Sequence, residues 1–305
     1  MEGMELFCRE FEKMLSEGKE RSFSESVRRQ KIGVVNSIAS VYALAGYTYQ
    51  GVPTVMLARF CNMLSVEAKF PFYAALYEAC RTDYKKIPNV IFQHERLERV
   101  KNLIAHSGCD HSFYIYQALC ALAVDDFSGL EALLPEELGL AKHGYWIPVI
   151  CTNLLLAIYY KKPEYVEYCA DKLETSLKRK ENLYFKSILN CLADIFTKKP
   201  DAFNDDLENV CKGLQKSKQF GLEPFDKILS LEALGLYRLA CLEFHGTDRE
   251  RLKMPEHFAF WKEAAELPFD RRIEPYFVYT GELSFLASVY KGILYKKLNN
   301  GLPTY

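Results

Sequence analysis

Four short clusters carry residue types that could do chemistry, and each is incomplete. His106-Ser107-Gly108-Cys109-Asp110-His111 offers three potential His or Cys metal ligands within six residues. Their spacing fits no standard zinc pattern, and no second pair of ligands lies at a supporting distance, so a helix cap and turn is the expected reading. An all-α terpenoid-type enzyme would need paired acidic motifs to chelate magnesium around a diphosphate, and the stretches to test are Asp125-Asp126-Phe127-Ser128-Gly129 and Asn204-Asp205-Asp206-Leu207-Glu208. The first lacks the final acid, and the second lacks the downstream Ser and Glu. Arg271-Arg272 lies among aromatics and could meet a phosphate, but two arginines are a small footprint without a wider basic face. Nucleophile elbows, Walker loops, GxGxxG and HExxH are absent from the sequence. The expectation is a chain with no catalytic residue, no metal and no cofactor, and hence not an enzyme.

The elements that would hold such residues are announced by punctuation. Lys85-Lys86-Ile87-Pro88, Lys161-Lys162-Pro163 and Lys198-Lys199-Pro200 each interrupt an apolar stretch, and Asp125-Asp126-Phe127-Ser128 fills the slot between the first and second. The intervals are 40, 36 and 37 residues, the length of one helix-turn-helix unit in an α-solenoid. The lysine pairs read as turn-and-cap marks near helix C-termini, where positive charge suits exposed carbonyls.

Segments 113–124, 145–160 and 183–196 read as strongly apolar first helices, with more polar partners at 127–134, 163–178 and 201–215. Tyr165, Cys169 and Leu173 align with Phe203, Leu207 and Cys211 at a constant offset of 38, which predicts that both partners pack alike on their first helix. Further helices are expected at 4–17, from Ser22 toward Tyr49, after Pro53 and Pro71, at 90–105, 226–245 and about 280–298. In 90–105 the face with Glu95, Arg96, Glu98, Arg99 and Lys101 reads as solvated. No alternating β-branched run is long enough for a sheet. The fold class is therefore all-α, a compact array of antiparallel helix pairs of the α-solenoid, TPR-like kind. A single domain over 1–305 would comprise N-terminal helices to 87, central repeats over 88–215 and C-terminal helices over 216–305. Segment 246–276 is irregular and rich in charge, aromatics and Pro.

Composition narrows the function classes. A formal charge of −1 gives no global field toward nucleic acid or anionic membrane. The 10 cysteines are scattered singly with no CxxC, which points to buried free thiols and a reducing cytoplasm. No signal peptide is expected, because Glu2, Glu5, Arg9, Glu10 and Glu12 break the start. The most membrane-like run, 145–160, falls short of a span.

The stretch Ala121-Leu122-Ala123-Val124-Asp125-Asp126-Phe127 resembles the bacterial immunity protein 49 family. So does Leu231-Glu232-Ala233-Leu234-Gly235-Leu236-Tyr237-Arg238-Leu239-Ala240, followed by a Gly and a Pro-containing loop. The resemblance covers roughly residues 40–290. It implies an all-helical antidote that neutralises a cognate bacterial toxin, and it carries no catalytic residue. A toxin-binding patch is then expected in 257–276, at His257, Trp261, Arg271, Arg272 and Tyr276; the structural alternative is that Trp261 and Tyr276 seal the end of the array. Two other readings are a TPR-like scaffold with a peptide groove and an enzyme with an aromatic-lined pocket.

Overall fold

A computed structural model describes residues 2–16, 48–49, 52–53, 69–102, 110–217 and 227–255. These residues are helical apart from turns and one two-residue antiparallel ladder. In it, Thr48–Tyr49 (β1) pairs with Val52–Pro53 (β2), Thr48 facing Pro53 and Tyr49 facing Val52. Pro53 therefore ends a short ladder, where its missing N–H is tolerated, instead of opening a helix. Tyr49 is extended, so no helix from Ser22 reaches it. The helix expected at 280–298 lies outside the described residues. The chain divides into two compact units, Met1–Phe7 with Ser107–Glu266, and Cys8–His106 with Leu267–Tyr305. No described helix is long and apolar enough to cross a membrane.

In the second unit, the later part of α1 (Glu2–Ser16) meets α2 (Lys69–Thr82). The Phe11 and Tyr77 rings lie 5.1 Å apart, and Tyr77 Oη donates to Glu12 Oε1 at 2.6 Å. Pro71 falls in the first turn of α2, as its missing N–H allows. A 3₁₀ turn at Tyr84–Lys86, capped by Asp83, then leads into α3 (Ile87–Asn102). Phe72 stacks on His94 with centroids 3.9 Å apart. The expected solvated face of this helix is not found at its first two charges, because Glu95 and Arg96 are only 2% and 4% exposed. Arg96 lies over the Phe92 ring at 4.7 Å, and α3 is enclosed on several sides between Ile87 and Arg96. A charge pattern marks a solvated face only where no other element covers it. Side chains beyond Arg96, including Leu97, Glu98, Arg99, Val100 and Lys101, are outside the described set.

The first unit contains α4 (Ile115–Ala123), α5 (Phe127–Leu133), α6 (Trp146–Tyr160), α7 (Pro163–Lys178), α8 (Leu183–Phe196), α9 (Pro200–Lys216), α10 (Leu231–Glu243) and the single-turn α11 (Thr247–Glu250). Helix α4 packs on α5, α6 on α7, and α8 on α9. The first helices contact one another in order, α4 on α6 and α6 on α8; α8 then touches α10, and α10 packs back along α4. Four apolar helices thereby close a ring. Their composition requires it: α6 buries Ile147, Ile150, Cys151, Leu154, Leu155, Leu156 and Ile158, which cover more than one face. The ring closes at close quarters. A Cβ on Gly235 of α10 would run into the Leu119 carbonyl of α4, so only glycine allows that crossing.

One buried polar side chain inside the ring is matched to backbone. Asn153, fully buried in α6, accepts from the Ala141 N–H at 2.7 Å and donates to the Ala141 carbonyl at 3.0 Å. This pairing satisfies groups that would otherwise each cost about 1–3 kcal/mol.

The aligned stripes of α7 and α9 do not pack alike. α9 buries Phe203, Leu207, Val210, Cys211 and Leu214, whereas α7 buries Tyr165 and Cys169. Where α9 carries Val210 and Leu214, α7 carries Lys172 and Ser176, so its stripe runs out after two turns.

Candidate functional site

At one end of the ring, each pair turns through one residue in the left-handed region. Asp125, Lys161 and Lys198 have φ of 53°, 55° and 59°, and each stands two residues before the first residue of the next helix, Phe127, Pro163 or Pro200. The left-handed step costs a residue with a Cβ about 1 kcal/mol, and glycine is the usual choice there. Here the side chains have other work. Lys161 Nζ lies 3.0 Å from Glu243 Oε1, and Lys198 Nζ lies 3.1 Å from Glu243 Oε2 and 3.0 Å from the Glu243 carbonyl. Arg238 reaches Asp125 at 3.6 Å. All three turns are thus fastened to α10, and the lysines complement the C-terminus of α10 as well as following their own helices. The earlier Lys85-Lys86 belongs to the 3₁₀ turn and has a different geometry.

Near the same end, Asp194 of α8 meets Asp206 of α9, which also accepts from Asn190 Nδ2 at 3.1 Å. Burial, with the adjacent Asp206 carboxylate, pushes the Asp194 carboxyl up to about 7, so the pair holds a proton near neutrality.

The opposite end is built from non-repeating turns. Asp110 caps the 3₁₀ turn His111–Tyr114 through the Ser112 N–H and accepts from Lys142 N at 2.6 Å and His143 N at 2.8 Å. Burial opposes its charge, yet these N–H groups outweigh that and hold the carboxyl below its ordinary range. His111 Nε2 lies 2.9 Å from the Gly139 carbonyl. The cluster pins loop 139–145 and thereby sets the start of α6.

Two aromatic residues project from that start. Tyr145 is 56% exposed, and its hydroxyl donates to Glu181 at 2.6 Å, which raises the phenol above its usual range. Trp146 is half-buried, with the Arg179 guanidinium 4.2 Å above its ring. The two rings meet edge to face at 6.2 Å. Leu183, 44% exposed, opens the next helix. The turn between α7 and α8 is braced from below. Lys186 Nζ donates to the carbonyls of Leu177 (2.6 Å), Arg179 (3.1 Å) and Ser176 (3.4 Å), while Asn182 caps α8 through the Phe185 N–H. Burial lowers the Lys186 ammonium, yet it is committed to these carbonyls. Tyr145, Trp146 and Arg179 therefore form a platform whose parts brace one another, with the exposed Leu183 opening the helix after Arg179.

Among the described residues, no three His, Cys, Asp or Glu side chains gather as a metal site. The acidic clusters serve other ends. Asp125 holds Arg238, Asp126 caps α5, and Asn204 accepts from Lys253 N at 2.8 Å and donates to the Arg251 carbonyl at 2.9 Å. Arg251 also binds Asp201, so the stem of the 246–276 segment is fastened onto α9. Beyond Pro255 that segment is outside the described residues, and with it His257, Trp261, Arg271, Arg272 and Tyr276. The sequence reading passed over Tyr145 and Trp146 because they begin an apolar run. The available signal was Gly144 before them, which turns the chain at φ 139° just where the aromatics start. No family model, curated protein or solved structure matches this chain.

Proposed function

We propose that this chain is a binding protein of the immunity type, which occludes a cognate bacterial toxin stoichiometrically and does no chemistry of its own. The observation that carries the reading is the braced platform of Tyr145, Trp146 and Arg179 with the exposed Leu183. Tyr, Trp and Arg dominate binding energy at protein interfaces, and side chains already held in place lose less entropy on association. Exposed Lys142, His143 and Lys180 flank the platform residues in sequence, with Glu181 as the opposing charge, so a partner with an acidic rim about an apolar centre complements it. The likeness of 121–127 and 231–240 to immunity protein 49 sequences supports the same role. In this reading the pairs α4–α9 are a short TPR-like array whose groove is filled by α10, and the free thiols at the described cysteines suit a cytoplasmic setting.

The test is binding to the product of a toxin gene adjacent to this one, measured by calorimetry. Wild type should bind at one to one, and Trp146→Ala should weaken binding about thirty-fold, the 2 kcal/mol typical of an interface anchor. No binding by wild type sinks the immunity role. Unchanged affinity in Trp146→Ala, with loss in Arg271→Ala or Arg272→Ala, moves the contact to the C-terminal segment.

A further inference from the structure

We infer that Cys8 of α1 and Cys80 of α2 are a disulfide-forming pair, open to oxidation by a low-molecular-weight disulfide. The contact between these two helices carries the inference. Phe11 faces Tyr77, and Glu12 meets both Tyr77 and Arg81, so the two helices touch at these positions. Residues three apart share a helix face. Cys8 stands one turn before Phe11 and Glu12, and Cys80 one turn after Tyr77, so both cysteines lie on the faces where the helices touch. They are in hydrogen-bond contact, and neither is in a disulfide. A disulfide asks for side chains that face one another at such short range, and the packing between these helices already supplies that.

Exposure divides the roles. Cys80 is partly exposed, while Cys8 is 9% exposed behind it. The sulfur of Cys80 attacks glutathione disulfide, forms a mixed disulfide and releases one glutathione thiolate, which takes up the Cys80 proton. Cys8 then attacks the Cys80 sulfur and releases the second glutathione, which takes up the Cys8 proton. Two protein thiols lose two electrons, and one glutathione disulfide becomes two glutathione thiols. The contact with Cys8, and then burial, hold the Cys80 thiol far above the ordinary range, so little thiolate is present and the first exchange is slow. The pair thus stays reduced through brief exposure and closes under sustained oxidation. Closure would tie residue 8 to residue 80 and constrain the unfolded chain, which stabilises the unit. Cys151, Cys191 and Cys211 also lie in one core, but each is nearly or fully buried, beyond reach of the reagent.

The full chain, incubated with glutathione disulfide, alkylated under denaturing conditions and digested without reductant, should yield a Cys8–Cys80 cross-linked peptide two hydrogens lighter than its parts. The thermal midpoint of the oxidised protein should exceed that of the reduced one, and Cys8→Ser should leave Cys80 as a stable glutathione adduct. Recovery of Cys8 and Cys80 as separately alkylated or separately glutathionylated residues overturns the inference, whatever the other thiols do. A link from either one to Cys61 or Cys109 overturns it too.

Discussion

At one end of the ring the chain turns on Asp125, Lys161 and Lys198; at the other it turns through loop 139–145 and residues 179–182. The first set repeats at intervals of 36 and 37 residues, shares one backbone conformation, and is fastened to α10 by ion pairs. The second set has no common form, is held by caps and backbone hydrogen bonds, and leaves Tyr145 and Leu183 in solvent. Periodicity in this chain therefore marks the end that closes the fold. Departure from it marks the end that leaves an aromatic and an aliphatic side chain in solvent.

The largest stability difference between the ends should come from Asp194, on the closed side. Its carboxyl titrates near 7 in the folded state and near its ordinary value when unfolded. Between those values the folded chain holds the extra proton, so this contribution is full at acid pH and is lost as pH rises through about 7. Asp194→Asn keeps a donor toward Asp206 and removes the titration. Wild type should lose about 2 kcal/mol more than the variant between about pH 5 and pH 8 in urea melts. Parallel pH profiles would show that the pair does not share a proton.

A smaller effect is expected at Glu243, where two lysines converge. Glu243→Gln keeps an acceptor but not the charge, and should cost about 1 kcal/mol, shrinking as salt is added. A salt-independent loss would mean that the lysines act through packing and not through charge. The smallest effect belongs to the other end. Tyr145→Ala removes an exposed ring and should change stability by less than about 0.5 kcal/mol, even as it weakens partner binding. A large loss of stability there would make the platform a structural cap and erase the contrast between the ends.

Much of the fold was legible because burial and helical period are local signals. The expected helices 145–160, 163–178 and 183–196 match Trp146–Tyr160, Pro163–Lys178 and Leu183–Phe196 within a residue. The equivalence of Asp125 with the lysine turns was also readable, since all three precede a cap and a first helical residue. Less was legible where the answer depends on a distant neighbour. Glu95 and Arg96 look like a solvated face and are buried, and α7 looks like α9 but covers less. The platform was missed for the same reason. An aromatic pair opening an apolar helix reads as core unless one knows that the ring ends beneath it.

By itself the sequence determined helix pairs, their turns and their apolar first members, because period, caps and proline act within a few residues. Tertiary structure alone decided that α10 returns to close the ring on α4 across Gly235, and that Lys161 and Lys198 share Glu243. It also decided that Tyr145 and Trp146 meet Arg179 and Glu181 at the open end. Each of these joins residues more than 30 positions apart, and no local rule states which distant backbone will arrive alongside.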